Sequence, residues 1–307
     1  MSRNILSALS TSLRQGIVAA EKRPAVRRVG RLLPARVRVA VRSQGLPFRA
    51  GCASGAVPSR SILVAAGART GSTLLANGIE ATGQAGHLLE WLSPYTMSGA
   101  AAQVGLPIPT HAERQRRRRA RRRGDATWSG IWEIDPASLE PYVAEVVRRT
   151  VSSNGVFGAK LHWKQYVDAV AQGLDLAVFP QPISWVHIWR DDLVAQAVSL
   201  VRAQQSHEWK RTVGRVAPST RFRYDAEVIA KAVNSCREWN DNWQRFFDEH
   251  DLHPVRVSYE ELSADYELTM RRVLAELSLD VDSIAPPTLE RQADGQSLEW
   301  IARFRAE

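Results

Sequence analysis

Residues 61–75 read SILVAAGARTGSTLL. After its first serine, the run 61–67 is apolar and ends on a glycine, the pattern of a strand buried on both faces. From Gly71 to Ala81 the apolar residues Leu74, Leu75 and Ile79 recur at helical spacing, which predicts a helix with those three facing inward. The turn between them, Gly67-Ala-Arg-Thr-Gly-Ser-Thr73, sits where a strand hands over to a helix N-terminus. Backbone N–H groups converge there and the helix dipole favours negative charge, so an anion finds donors without side-chain help. Ser72 and Thr73 add hydroxyls. An ordinary strand-to-helix turn with a Ser/Thr cap has the same spelling.

Working outward, short apolar runs alternate with longer amphipathic ones. Strands are expected at 156–161 (VFGAKL), 184–189 (SWVHIW) and 255–259 (VRVSY), and helices at 139–150, 191–205, 225–249 and 268–279. That order predicts an α/β fold with a mainly parallel central sheet between helical layers, carried by a single domain over 58–307.

The chain has 307 residues and a net charge of +9. Residues 1–60 hold 12 Lys/Arg against the single acid Glu21, so the remainder is slightly acidic. The basic pI near 10 therefore describes two appendages. The first, 1–57, reads as a basic N-terminal extension outside the fold: a transit peptide, a disordered arm, or a segment added by an upstream start codon. The second is the Arg-rich loop 111–124, with eight arginines between Arg114 and Arg123, expected to be solvated. Cys52 and Cys236 alone provide neither a disulfide framework nor a thiolate zinc cluster, which points to a reducing compartment. The expected location is cytoplasmic, or organellar if 1–57 is a transit peptide. No run approaches the roughly 18 to 20 apolar residues of a membrane helix, and mean hydropathy is −0.27.

The turn departs from G-x-x-x-x-G-K-[ST]: Ser72 stands where the lysine would be, and the cation lies upstream at Arg69. Without that lysine, and without a convincing magnesium carboxylate, metal-assisted γ-phosphate transfer loses ground to metal-free anion transfer. The strand SWVHIW ends at Arg190, with Ser199 about two helical turns later. An arginine and a hydroxyl so placed at a strand's carboxyl end suit a second phosphate, although an ion pair with a nearby acid explains Arg190 equally well. The two loops together suggest a nucleotide with two separate anionic sites.

The strings AGARTGSTLL (66–75), VFGAKLHW (156–163), VHIWRDDLVAQAVSLVRA (186–203), VRVSYEEL (255–262) and LERQADGQSLEW (289–300) resemble bacterial sulfotransferases of the trehalose 2-sulfotransferase type. The resemblance implies a P-loop-like sulfotransferase fold and 3′-phosphoadenosine 5′-phosphosulfate (PAPS) as co-substrate, with no metal. It implies that Arg69, Thr70, Gly71, Ser72 and Thr73 cradle the 5′-phosphosulfate, that Arg190 and Ser199 hold the 3′-phosphate, and that Arg291 and Gln292 close over the nucleotide. Glu90 matches the family's general base, with His87 the other candidate, and Lys160 and Trp163 match positions that orient nucleotide or acceptor. Lys160 paired with an acid and Trp163 in the core are the structural alternatives. The acceptor implied is a hydroxyl of a carbohydrate or glycolipid, and a homodimer is compatible with the family.

The stretch after Glu90, SPYTMSGAAAQVGLPIPTHAERQRRRRARRRG, departs from the family pattern, which leaves the acceptor open. Glu208-Trp209 and the pair Trp239 and Trp243 offer rings to a sugar, but i, i+4 spacing on a helix also suits core packing. Two other functions compete. A P-loop kinase or NTPase predicts magnesium-dependent binding and finds support only in Asp191. A nucleic-acid-binding protein built on the basic tracts predicts steep salt dependence and leaves Gly71, Arg190 and Glu90 unexplained; no nucleic-acid partner is expected.

Overall fold

The computed structural model describes residues 48, 55–106, 138–206, 209, 222–287, 289 and 294–307. Most of the 1–57 extension, the Arg-rich loop, Glu208, Arg291 and Gln292 lie outside the described residues. In chain order the elements are β1 (Arg60–Ala66), α1 (Ser72–Ala81), α2 (Pro94–Val104), α3 (Leu139–Thr150), β2 (Val156–His162), α4 (Trp163–Val170), β3 (Ile183–Trp189), α5 (Leu193–Ser206), α6 (Ala226–Glu249), β4 (Val255–Ser258), α7 (Tyr259–Ala264), α8 (Tyr266–Glu276) and α9 (Gly295–Ala306).

The four strands form one parallel sheet in the order β2-β1-β3-β4. β1 is central, and its last six residues are all buried, as its unbroken apolar run requires. Alternation along β3 splits the core in two. Val186 and Ile188 join Ile62, Val64, Leu75, Ile79, Met270 and Val273 on one face, where α1 and α8 pack. Trp185 belongs to the opposite face, where its ring meets Trp243, Phe246 and Phe247 of α6 at centroid separations of 6.0, 5.5 and 5.7 Å. A further cluster joins Val198 and Val201 of α5 to Ile229 and Cys236 of α6 and Trp300 of α9.

The chain forms two compact units. One spans 54–90, 150–167 and 179–307 and holds the sheet. The other comprises, among the described residues, Phe48, 91–106, 138–149 and 168–178. Within it Tyr142 donates to the Trp91 carbonyl at 2.7 Å, and Phe48 stacks on Trp91 at 5.5 Å.

The helix expected over 268–279 is α8, displaced toward the N-terminus. Asp265 caps it by accepting from Leu268 N–H at 3.0 Å, and Leu277 and Leu279 pack into the core beyond its end. The strand expected through Tyr259 stops at Ser258, whose hydroxyl accepts from Glu261 N–H and starts α7 instead.

Parallel pairing puts every strand's carboxyl end on one edge. Register aligns Ala66 with His162 and Trp189 with Ser258. The 67–71 turn, Lys160 and His162, Arg190, and the Tyr259-Glu260 pair therefore share the edge where open α/β sheets bind ligands.

Candidate functional site

The turn after β1 is held from behind. Trp243 donates to the Ala66 carbonyl at 3.0 Å, Thr70 Oγ1 to the Gly67 carbonyl at 3.0 Å, and Gln196 Nε2 to the Ala68 carbonyl at 2.8 Å. Three successive carbonyls are thereby occupied by protein donors, so none is left bare to repel an anion. Arg69 has a φ of 67° and Gly71 a φ of 82°, both in the left-handed region. Gly71 is required there twice over, because a Cβ would also come within 2.8 Å of the Tyr259 ring. Gly71 occupies the N-cap of α1 without supplying a side-chain cap. Leu74 and Leu75 N–H donate to the Gly71 carbonyl at 2.8 and 3.1 Å, so it is the amides of Ser72 and Thr73 that face a ligand or solvent.

Arg69 Nε donates to Ser199 Oγ at 2.9 Å, and its Nη1 donates to the Trp209 carbonyl. Ser199, expected beside Arg190, is thus joined to the turn. The Arg190 guanidinium lies 4.4 Å from the centre of the Tyr259 ring, and its Nε is 3.7 Å from Glu260 Oε1. The same Glu260 carboxylate accepts from the main-chain N–H of Asp191 at 3.0 Å and of Asp192 at 3.3 Å, fixing the turn that leads into α5. Asp191, the one feature favouring a magnesium site, accepts from Trp189 Nε1 at 2.8 Å.

Glu90 is seated by backbone pairing. Leu89 bridges to Ala159 in parallel fashion, and Lys160 N–H donates to the Leu89 carbonyl at 2.9 Å. Gly158 permits this approach, since a Cβ there would lie 2.5 Å from the Ala85 carbonyl and 2.6 Å from the Leu88 side chain. Lys160 Nζ then bridges two groups, donating to Glu90 Oε1 at 3.1 Å and to Thr73 Oγ1 at 2.9 Å. Gln165 Nε2 donates to Glu90 Oε2 at 3.0 Å, and His162 Nδ1 lies 3.7 Å from the same oxygen.

Burial works against ionisation of Glu90. The charge of His162 when it is protonated, the charge of Lys160 and the hydrogen bonds from Gln165 and Lys160 outweigh it, holding the carboxyl well below the usual range. Burial pushes the His162 pKa below 6.5, opposed by Glu90 and assisted by Lys160.

The structure therefore gathers Thr73, Glu90 and Lys160 into one cluster and ties Arg69 to Ser199. His87 is engaged with Glu80, Nδ1 to Oε2 at 2.8 Å. Trp163 packs edge-on against Trp243 at 5.0 Å, within the aromatic cluster. Trp243 is fully buried, in keeping with the core alternative for that ring. Gln196, Tyr259 and Glu260 lie inside the family-like strings and His162 stands between Lys160 and Trp163, but no pattern in the sequence singles them out. Nothing in the sequence marks Gln165. No cluster of three metal-ligating His, Cys, Asp or Glu side chains occurs among the described residues, and no described helix is long and apolar enough to cross a membrane.

Two relatives cover nearly this whole region. The chain is 32% identical to the trehalose 2-sulfotransferase of Mycolicibacterium smegmatis over 262 residues, 79% of this chain and 93% of that protein. It is 30% identical to the trehalose 2-sulfotransferase of Mycobacterium tuberculosis over 269 residues, 81% of this chain and 95% of that protein. A sequence model described as Stf0 sulphotransferase matches residues 61–307, from β1 through α9, and on that match the chain belongs to the Stf0 sulphotransferase family and is a transferase.

Proposed function

We propose that this protein transfers a sulfuryl group from PAPS to a hydroxyl of a carbohydrate acceptor, with residues 58–307 acting as the catalytic domain. The observation that carries the reading is the Lys160 bridge. One buried ammonium touches both Thr73, in the anion-binding turn, and Glu90, the candidate base. Donor and acceptor chemistry are thereby within one side chain's reach.

In this reading the amides at the start of α1, with Arg69, Ser72 and Thr73, bind the 5′-phosphosulfate, and Arg190 and Ser199 bind the 3′-phosphate. The turn's tied carbonyls and its uncapped helix N-terminus suit such an anion. Glu90 accepts the acceptor's hydroxyl proton as its oxygen bonds to sulfur. The bond from sulfur to the 5′-phosphate oxygen breaks, and the electron pair leaves with adenosine 3′,5′-bisphosphate. Arg69, Lys160 and the turn amides stabilise charge on the sulfuryl oxygens and the departing phosphate. The carbohydrate acceptor follows from the names of the two mycobacterial relatives.

Calorimetric titration with adenosine 3′,5′-bisphosphate, against ATP and AMP in EDTA, tests the donor site. Metal-independent binding that needs the 3′-phosphate is expected, and Arg190→Ala should weaken it by about 10- to 100-fold. Turnover is then assayed on a carbohydrate panel that includes trehalose. Glu90→Gln should retain nucleotide affinity while kcat falls by about 100-fold or more. Undiminished turnover in Glu90→Gln, or nucleotide binding only to ATP with magnesium, would overturn the reading.

A further inference from the structure

Glu90 is a poor final home for a proton. The Lys160 charge and the hydrogen bonds from Lys160 and Gln165 stabilise the ionised form, so the carboxylate readily accepts hydrogen bonds but holds a proton weakly. A base of that kind needs a stronger acceptor behind it.

His162 stands in that place. It is the last residue of β2, two positions from Lys160, so the strand's alternation puts both side chains on one face. Its Nδ1 lies 3.7 Å from Glu90 Oε2, and its Nε2 is buried without a hydrogen-bond partner among the described residues. A buried imidazole nitrogen left bare is costly and calls for a reason. Turning either side chain slightly brings Nδ1 and Oε2 within hydrogen-bonding range.

We propose that His162 is the proton acceptor behind Glu90: the hydroxyl proton passes through the Glu90 carboxylate to His162 Nδ1. The inference rests on the sulfuryl-transfer reading. The proton leaves the acceptor oxygen for Glu90 as the oxygen–sulfur bond forms, then moves to Nδ1, regenerating the carboxylate and giving an imidazolium. No oxidant or further reactant is involved. Acting through Glu90, His162 is a positioning residue. The charged groups facing it are Glu90, from the segment that bridges to β2, and Lys160, from its own strand. β1 presents Ala66 opposite, and α4 presents Gln165, whose Oε1 accepts from the main-chain N–H of His162 at 3.3 Å. Burial and Lys160 favour the neutral ring, and the relay uses the tautomer that carries its proton on Nε2 and leaves the Nδ1 lone pair bare.

The relay fixes the sign of the pH dependence. Turnover needs neutral His162, so kcat falls as pH drops through the His162 midpoint, below 6.5. In His162→Gln the acid limb should move down by about one pH unit or more, with kcat lowered on the order of 10-fold and affinity for adenosine 3′,5′-bisphosphate retained. An acid limb coincident with wild type would overturn the relay. Histidine NMR titration of the wild-type enzyme and Glu90→Gln gives a readout independent of turnover. Loss of the Glu90 charge should shift the His162 midpoint further down, and equal midpoints would also overturn the proposal. Failure of the wild-type enzyme to bind adenosine 3′,5′-bisphosphate would instead overturn sulfuryl transfer itself.

Discussion

Lys160 shows how one side chain sets the chemistry of several others. It is only 3% exposed, and a buried ammonium needs partners; Glu90 and Thr73 supply them. Its charge lowers the pKa of both Glu90 and His162. Lys160→Met removes that charge and should raise both. Because turnover needs Glu90 ionised and His162 neutral, the acid limb of kcat should move to higher pH, opposite to its movement in His162→Gln. The expected displacement is about one pH unit, measured from the profile of kcat at saturating donor and acceptor. A downward or absent displacement would sink the account of the cluster. Lys160 and Glu90 could be singled out in the sequence, but their contact could not, since 70 positions separate them and it is the pairing of Leu89 with Ala159 that brings the segments together. The need for glycine at 71 was half visible. The turn announces it, whereas the Tyr259 ring that forbids a side chain there is supplied by the start of α7, far along the chain.

Among the elements, legibility followed length and contrast. β1, α1, α3 and α6 stand where periodicity puts them, because an unbroken apolar run or a long amphipathic face has no competing reading. α2, α4, α7 and α9 are not legible in the sequence, for separate reasons. The sequence of α2, PYTMSGAAAQV, is too uniformly small to show a face. α4 and α7 are short and continue directly from strands. α9 lies in a segment read for its resemblance, although Asp294 caps it by accepting from Ser297 N–H at 2.9 Å. The seating of the 85–90 segment against β2 is the element contact on which the site depends, and Gly158 is its fulcrum. Gly158→Ala would push a methyl against the Ala85 carbonyl and the Leu88 side chain, at a stability cost of about 1–3 kcal/mol. Glu90 should move with the segment while the turn after β1 stays in place. The expected outcome is a kcat lower by about 10-fold with nucleotide affinity within a factor of about 3. Equal losses in both would mean that the segment and the donor turn are not separately positioned.

For the molecule as a whole, net charge was the least informative quantity in the sequence, and one buried imidazole says more about acid behaviour than the excess of arginine. His187 lies on β3 opposite Arg256, 2% exposed, with its ring 5.3 Å from that of Phe247. Neither ring nitrogen has a hydrogen-bond partner among the described residues. Burial, with the charge of Arg256 added, pushes its pKa down to about 4, from 6.5. The unfolded chain therefore binds a proton at a pH where the folded chain does not. Stability is complete above 6.5 and declines as pH falls toward 4, by about 2 kcal/mol near pH 5 from this residue. His162, its pKa also lowered by burial, adds a decline of the same sign. His187→Phe keeps an aromatic ring among Phe247 and Trp189 and has no proton to bind. Urea denaturation between about pH 8 and 5 should show a steep loss of stability in the wild-type protein and a markedly shallower one in His187→Phe, with His162 contributing to what remains. Parallel slopes in the two proteins would mean that His187 binds its proton equally well folded and unfolded, and that acid sensitivity arises elsewhere.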